Sequence, residues 1–383
     1  MDIENWVNYC LNLRKGVVSK GEKDDKKFLL ANFLGTEQQK DIEKRTPLIQ
    51  DFFRIKINVK AFNEKEMQKK GMHMHAIDFA DNEAVFKALR EEFDIPYWGF
   101  TKLKNRPLKD YNDIFVYQLK ACNVFCPWCY VDDANKNGKQ ENNSRFFSMS
   151  EIMDSFEDER KKQNIHMFRI SGGEPTLAVE QWLEALRGLR NRGMGDDICI
   201  QSDTNLTTGN FIDYLQSGGE LDKNLLEKVA EFPNFGVLCS FKGTDTEGFL
   251  RSMGITKVNG SVEDKYSFLE EERWYSFSKL VNSGIDAYPF IYDPNPETLE
   301  KFMEKGAKMF GDGFYLKTWA YPLKLYGAEE ERLKKIDKNP EDYQKELDDN
   351  FKRSKEVMQD ITWKKFGINY QAIPRTGIKL KVK

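Results

Sequence analysis

From residue 113 to residue 321 the chain repeats one rhythm, an apolar run of strand length followed by a stretch with helical spacing. This alternation limits the fold more than any other feature. "DIFVYQLK" (113–120), "IHMFRIS" (165–171), "DICIQSD" (197–203), "FGVLCSFK" (235–242), "IDAYPFIYD" (285–293) and "GFYLKTWAY" (313–321) read as six strands. Helices are predicted between them at 147–163, 177–193, near 222–231, 267–283 and 297–310, the first opened by a Ser148/Glu151 capping box. Strands separated by helices of ordinary length build a parallel sheet from βα units. Right-handed crossovers curl six such units into an open barrel, short of the eight that close one. The expected fold class is therefore α/β, a partial (β/α)6 TIM-like barrel whose strand carboxyl ends carry the chemistry.

The flanks read differently. Residues 1–110 are expected to form an N-terminal α+β extension, a candidate substrate lid. They hold helical spacing at 3–15, strand alternation in "FFRIKINVKAF" (52–62) and helical spacing in "NEAVFKALREEF" (82–93). The turn formers of "NRPLKDYND" (105–113) mark the linker, so that the barrel core spans 111–326. Residues 327–383 read as a helical C-terminal extension whose charge runs mark a solvated face. With 40% hydrophobic and 32% charged residues the chain is suited to a packed core rather than disorder. A net charge of −3 exerts no global pull towards nucleic acid or anionic membrane. No apolar run approaches the ~18–20 residues of a membrane span, and the first residues lack a secretory layout, so a cytoplasmic protein is expected.

Three of the six cysteines, Cys122, Cys126 and Cys129, crowd into "KACNVFCPWCYVDD" (120–133), directly after the first strand. Clustered cysteines without a secretory leader favour reduced, metal-binding thiolates over disulfides. Soft thiolates suit zinc or an iron–sulfur cluster, but zinc sites usually draw on two paired knuckles and no second knuckle follows. His73, His75 and His166 lie in or beside extended stretches and read as structural or surface residues. Cys10, Cys199 and Cys239 are single, the last two inside predicted strands as buried thiols. A cubane cluster normally takes four cysteines, one per iron. Three leave one iron for an exogenous ligand.

The pattern Cys122-x3-Cys126-x2-Cys129, with Trp128 and Tyr130 flanking the third cysteine, resembles the signature of single-cluster radical S-adenosylmethionine (radical SAM) enzymes. The resemblance implies that the three cysteines hold a [4Fe–4S] cluster and that S-adenosylmethionine (SAM) chelates the open iron. One electron then splits SAM into methionine and a 5′-deoxyadenosyl radical, which abstracts hydrogen from a substrate. "RISGGEPTL" (169–177) matches the family's GGE motif, with Gly172 and Gly173 expected to let the backbone approach SAM and Glu174 to accept from its ammonium group. "QSDTNLTTG" (201–209) lies where the family binds the ribose hydroxyls, which implies Asp203, Thr204 and Asn205 with Ser202 beside them. The residues alone equally allow Asp203 or Thr204 as a helix cap. "SFKGTD" (240–245) resembles the Asp-x-Lys of glycyl-radical-enzyme activases with Ser240 in place of the Asp. Lys242 would pair with the methionine carboxylate, and Trp128 and Tyr130 would stand beside the adenine.

The resemblance covers residues 114–321 and says little of the flanks, which hold neither a second cysteine cluster nor a cobalamin-binding His motif. It implies hydrogen abstraction from a small-molecule or nucleotide-like substrate, with an electron donor such as ferredoxin or flavodoxin. The oxidoreductase, lyase or transferase type stays open. One alternative is an activase or peptide-modifying enzyme acting on a protein partner; another is a non-catalytic iron–sulfur or zinc-binding protein. Tyr292, Asp293, Lys317 and Tyr321 are candidates on the substrate side, no catalytic acid or base stands out, and Asp132 and Asp133 have no reading.

Overall fold

A computed structural model describes residues 2–43 apart from 22–24, then 51–57, 98–254 apart from 100–101, 104–105, 107, 112 and 142–143, and 266–382 apart from 326, 336–338 and 374. Six parallel strands follow one another across the sheet in chain order. They are β4 (Asp113–Leu119), β6 (Met167–Gly172), β7 (Cys199–Thr204), β8 (Phe235–Lys242), β9 (Ala287–Tyr292) and β10 (Trp319–Tyr321). This is the α/β architecture of a partial TIM-like barrel. Its strands are buried on both faces, as parallel strands covered by helices must be. The inner face packs Ile114, Val116, Met167, Cys199, Leu238, Tyr288, Phe290 and Trp319 around Trp98. Alternate residues, among them Phe115, Phe168, Ile170, Ile200 and Phe241, turn outwards to the helices.

The sheet does not stop at β4. The strand β3 (Phe53–Ile57) pairs antiparallel with it, and β2 (Lys26–Leu30) joins it at Leu30–Leu119 while pairing with β1 (Val18–Lys20) and β5 (Arg145–Ser148). The helix α1 (Ile3–Val17), opened by the Asp2 carboxylate accepting from the Asn5 N–H, lies against the barrel. Its Trp6 indole donates to the Thr207 carbonyl at 2.8 Å, and Arg14 pairs with Glu180 at 2.6 Å. The Ser148/Glu151 capping box is present at the start of the helix Met149–Lys162.

Two expectations fail. The run 313–321 is not one strand: Gly313–Lys317 is a short helix and only Trp319–Tyr321 joins the sheet. Phe314 turns into an aromatic cluster with Phe241, Phe277 and Phe310, a contact that rewards helical rather than extended backbone. Lys317 is thereby carried away from the barrel mouth. It bonds Asp286, just before β9, at 2.6 Å and the Ile378 carbonyl at 2.7 Å. The second miss is a pair of helices, Gly209–Ser217 and Thr246–Ser252, absent from the sequence reading. The helix expected at 82–93, the end of the strand expected at 52–62, and His73 and His75 lie outside the described residues. No described helix is long and apolar enough to cross a membrane.

Candidate cluster and SAM site

The cysteine loop leaves the carboxyl end of β4 and is held from several sides. The turn after β6 docks on its backbone, the Gly173 N–H donating to Leu119 O at 3.0 Å and the Glu174 N–H to Ala121 O at 2.6 Å. A Cβ on Gly173 would stand 1.9 Å from the Ala121 oxygen, and one on Gly172 2.6 Å from the Leu119 nitrogen. The close approach that requires these glycines is to the end of β4 and to the cysteine loop that leaves it. Gly254, at φ +78°, plays the same part at the other end, where its Cβ would meet Phe125 O at 2.0 Å.

Three segments distant in sequence converge on the loop. Asn123 donates to Thr207 Oγ1 at 2.8 Å and accepts from Asn205 Nδ2 at 2.8 Å, while Asn205 Nδ2 also lies 4.0 Å from Cys122 Sγ. Cys10 of α1, which the sequence left isolated, accepts from Asn123 at 3.4 Å. The Asp132 carboxylate accepts from the Glu37 and Gln38 N–H groups, both at 3.1 Å, at the start of α2 (Glu37–Glu43). Asp133 pairs with Lys136 at 2.8 Å and with Arg332 Nε at 2.9 Å. Arg332 sits on α3 (Gly327–Lys335) and also donates to the Cys129 and Val131 carbonyls. The charged C-terminal run is thus not merely a solvated face, because Arg332 points inwards to the loop.

Cys122 and Cys126 are buried, and Cys129 is partly so. Burial pushes the Cys122 thiol well up, and the charges of Cys126 and Cys129 add to the effect. Cys126 is raised by burial too, with Lys242 pulling the other way. Bound positive charge would favour the thiolates of Cys122 and Cys126 against this burial, which suits a metal cluster. Among the described residues no three His, Cys, Asp or Glu side chains converge as on a single metal ion. A cubane, which gives each cysteine its own iron, does not need them to.

The remaining candidates divide by strand face. Lys242, 5% exposed, lies 4.7 Å over the Trp128 ring, which stacks on Tyr292 at 5.5 Å. Tyr292 in turn packs on Tyr321 at 5.1 Å and hydrogen-bonds Ser240. Asp203 points to the interior, where Arg169 Nη2 donates at 2.7 Å and Ser171 Oγ at 3.0 Å; the Tyr130 hydroxyl is 3.4 Å from Ser171. Ser202 points the opposite way. It accepts from the Trp182 indole at 2.8 Å and donates to Ile170 O at 2.9 Å, so it cannot reach a ligand in the barrel, a correction that strand alternation explains. Thr204 shares that outer face.

Glu174 is 1% exposed. Its carboxylate accepts from the Thr176 N–H and hydroxyl and from the Thr204 hydroxyl, and from the Asn205 N–H at 2.7 Å. Those four bonds fill a carboxylate's capacity. Burial still pushes its carboxyl up, with the hydrogen bonds opposing. In this arrangement Glu174 ties the ends of β6 and β7 together. Asp293, at φ +50°, is buried beside Arg251 at 3.6 Å. His166 is buried between Asn164 and Asp197 at the opposite end of the barrel, in keeping with a structural role.

Arg169, Ser171, Asn123, Lys136 and Arg332 were all missed by the sequence reading, and so were two buried amides. Gln118 is 0% exposed, and among the described residues neither its Nε2 nor its Oε1 has a partner, nor does the Oε1 of Gln201. Gln118 stands opposite Ser171, and Gln201 opposite Arg169, on the inner face.

An open barrel of six parallel strands with a three-cysteine loop at the carboxyl end of the first defines a class of cluster-dependent enzymes. Residues 117–306 match the family model of the radical SAM superfamily, and through this domain the chain belongs to that superfamily. Its cofactors are accordingly a [4Fe–4S] cluster and SAM. No curated protein matches the chain.

Proposed function

We propose that the chain is a single-cluster radical SAM enzyme that abstracts hydrogen from a small-molecule or nucleotide-like substrate. Cys122, Cys126 and Cys129 are the iron ligands in this reading, and a ferredoxin- or flavodoxin-type donor supplies the electron. When bound, cluster and SAM together supply a 5′-deoxyadenosyl radical. The chain's own residues bind and shield. Lys242, against Cys126, is the partner for the methionine carboxylate, as a point charge rather than a fork. Trp128 and Tyr130 wall the adenine side. Asp203, fixed by Arg169 and Ser171, accepts from ribose hydroxyls, and Asn205 braces Cys122. Residues 1–110 and 327–383 flank a core at 111–326 and exclude water from the mouth. The setting is cytoplasmic.

The observation that carries the small-molecule reading is the side-chain amide of Gln118 with the Oε1 of Gln201, without partners among the described residues and above an apolar floor. A buried amide without a partner costs roughly 1–3 kcal/mol. A compact ligand offering its own N–H and C=O groups removes that cost. The test is anaerobic native mass spectrometry of the reconstituted protein incubated with a metabolite extract. A retained compound of low mass is expected, with retention at least about tenfold weaker in Gln118→Leu and Gln201→Leu. If nothing small is retained and hydrogen is instead lost from an added protein, the activase reading replaces this one.

A further inference from the structure

Asp133, Lys136 and Arg332 form a charged cluster behind the third cysteine. The Lys136 side chain is 1% exposed, and the Arg332 side chain 11%, so both cations lie largely out of water. Both bind the same Asp133 oxygen, Lys136 at 2.8 Å and Arg332 at 2.9 Å, which leaves the trio with one net positive charge. The group is attached directly to the cysteine loop. Arg332 grips the Cys129 and Val131 carbonyls, and the Lys136 carbonyl accepts from the Cys122 N–H at 3.0 Å. Lys136 also lies within electrostatic range of the Cys126 and Cys129 sulfurs. Loop backbone alone would be served by neutral donors. Two cations sharing one carboxylate instead leave a fixed charge imbalance beside the thiolates.

Reduction of an iron–sulfur cluster adds one negative charge, and nearby charge, hydrogen bonding and exposure set how readily that happens. Away from water a fixed charge acts at higher strength. We propose that Lys136 and Arg332 raise the reduction potential of the cluster and that Asp133 opposes them, so that the trio tunes the electron-transfer step. They act on the cluster through the loop and its field, as positioning residues. The inference rests on the reading that Cys122, Cys126 and Cys129 hold the cluster.

The test is an EPR-monitored redox titration of the reconstituted full-length chain without SAM, with iron content measured for each variant. Lys136→Gln and Arg332→Gln should shift the midpoint to more negative potential, and Asp133→Asn to more positive. Arg332→Lys, which keeps the charge and loses the fork on the two carbonyls, should stay near the wild type. Opposite signs for neutralising a cation and an anion are what a purely structural role would not produce. Unmoved midpoints at wild-type iron content, or shifts of one sign in all three neutral variants, overturn the proposal. If Lys136→Gln fails to retain iron, the Asp133→Asn and Arg332→Gln results decide in the same way. A wild type without a cluster signal sinks the ligand assignment itself.

Discussion

Asp203 and Ser202 are adjacent in sequence and serve opposite faces of one strand. Asp203 faces the interior in a fork with Arg169, whose side chain is 12% exposed, and the two charges neutralise each other inside the barrel. Removing one partner leaves the other without its counter-charge, so Arg169→Met should destabilise the fold by about 3 kcal/mol. Urea unfolding measures this. Ser202→Ala removes two hydrogen bonds on the helix side and should cost roughly 1–2 kcal/mol. SAM affinity, read by equilibrium dialysis, should change less than about twofold, since 1.4 kcal/mol would already be tenfold. A large loss of SAM binding would return Ser202 to the ribose site. "SDTN" announced polar chemistry at this strand end, but which residue faces which way depends on the strand's register and could not be read from the motif.

At the scale of elements, α1 is tied to the barrel by a buried ionic group. Arg14 and Lys26 both reach Glu180, at 2.6 and 2.9 Å. Burial alone would raise the Glu180 carboxyl, but the hydrogen bonds and charges of Arg14 and Lys26 outweigh it and hold it low. A carboxyl held low contributes stability that is present above its unfolded value and lost as pH falls through the folded one. Arg14→Ala should cost about 3 kcal/mol at neutral pH and remove that acid-side loss. One turn along from Glu180, in the helix Glu180–Asn191, Glu184 behaves in the opposite sense. Burial, then the charge of Glu180, pushes its carboxyl from 4.5 to about 7. The folded state then holds the proton more tightly, so stability should fall as pH rises from 4.5 to about 7. Glu184→Gln should flatten that decline in denaturation midpoints measured across the range. An unchanged slope would place its cause elsewhere.

Five of the six strands and most of the helices were legible because their periodicity is local, and Ser148/Glu151 is a local cap. "GFYLKTWAY" misled because aromatic residues favour strands in general, whereas here Phe314 finds its partners only in a helical turn. The short helix after Thr208 has no side-chain cap to announce it.

For the whole molecule, the cysteine loop is where distant parts of the chain meet. Asp132 takes the start of α2, Asp133 takes Arg332 of α3, and Asn123 takes Cys10 and Thr207. The two aspartates that no motif explained thus join the loop to both flanks. Contacts spanning as many as 203 residues of sequence, as between Cys129 and Arg332, leave no periodic trace in a single chain. The cysteines themselves were legible because three soft ligands at short spacing need no fold to be recognised. The central claim is that these cysteines carry a cluster that cleaves SAM. Its most direct test is anaerobic reconstitution with iron and sulfide, followed by dithionite and SAM, with 5′-deoxyadenosine measured by liquid chromatography. The wild type should release 5′-deoxyadenosine and methionine, and Cys126→Ala should release none above the protein-free control. A fully loaded wild type that releases none would contradict the account.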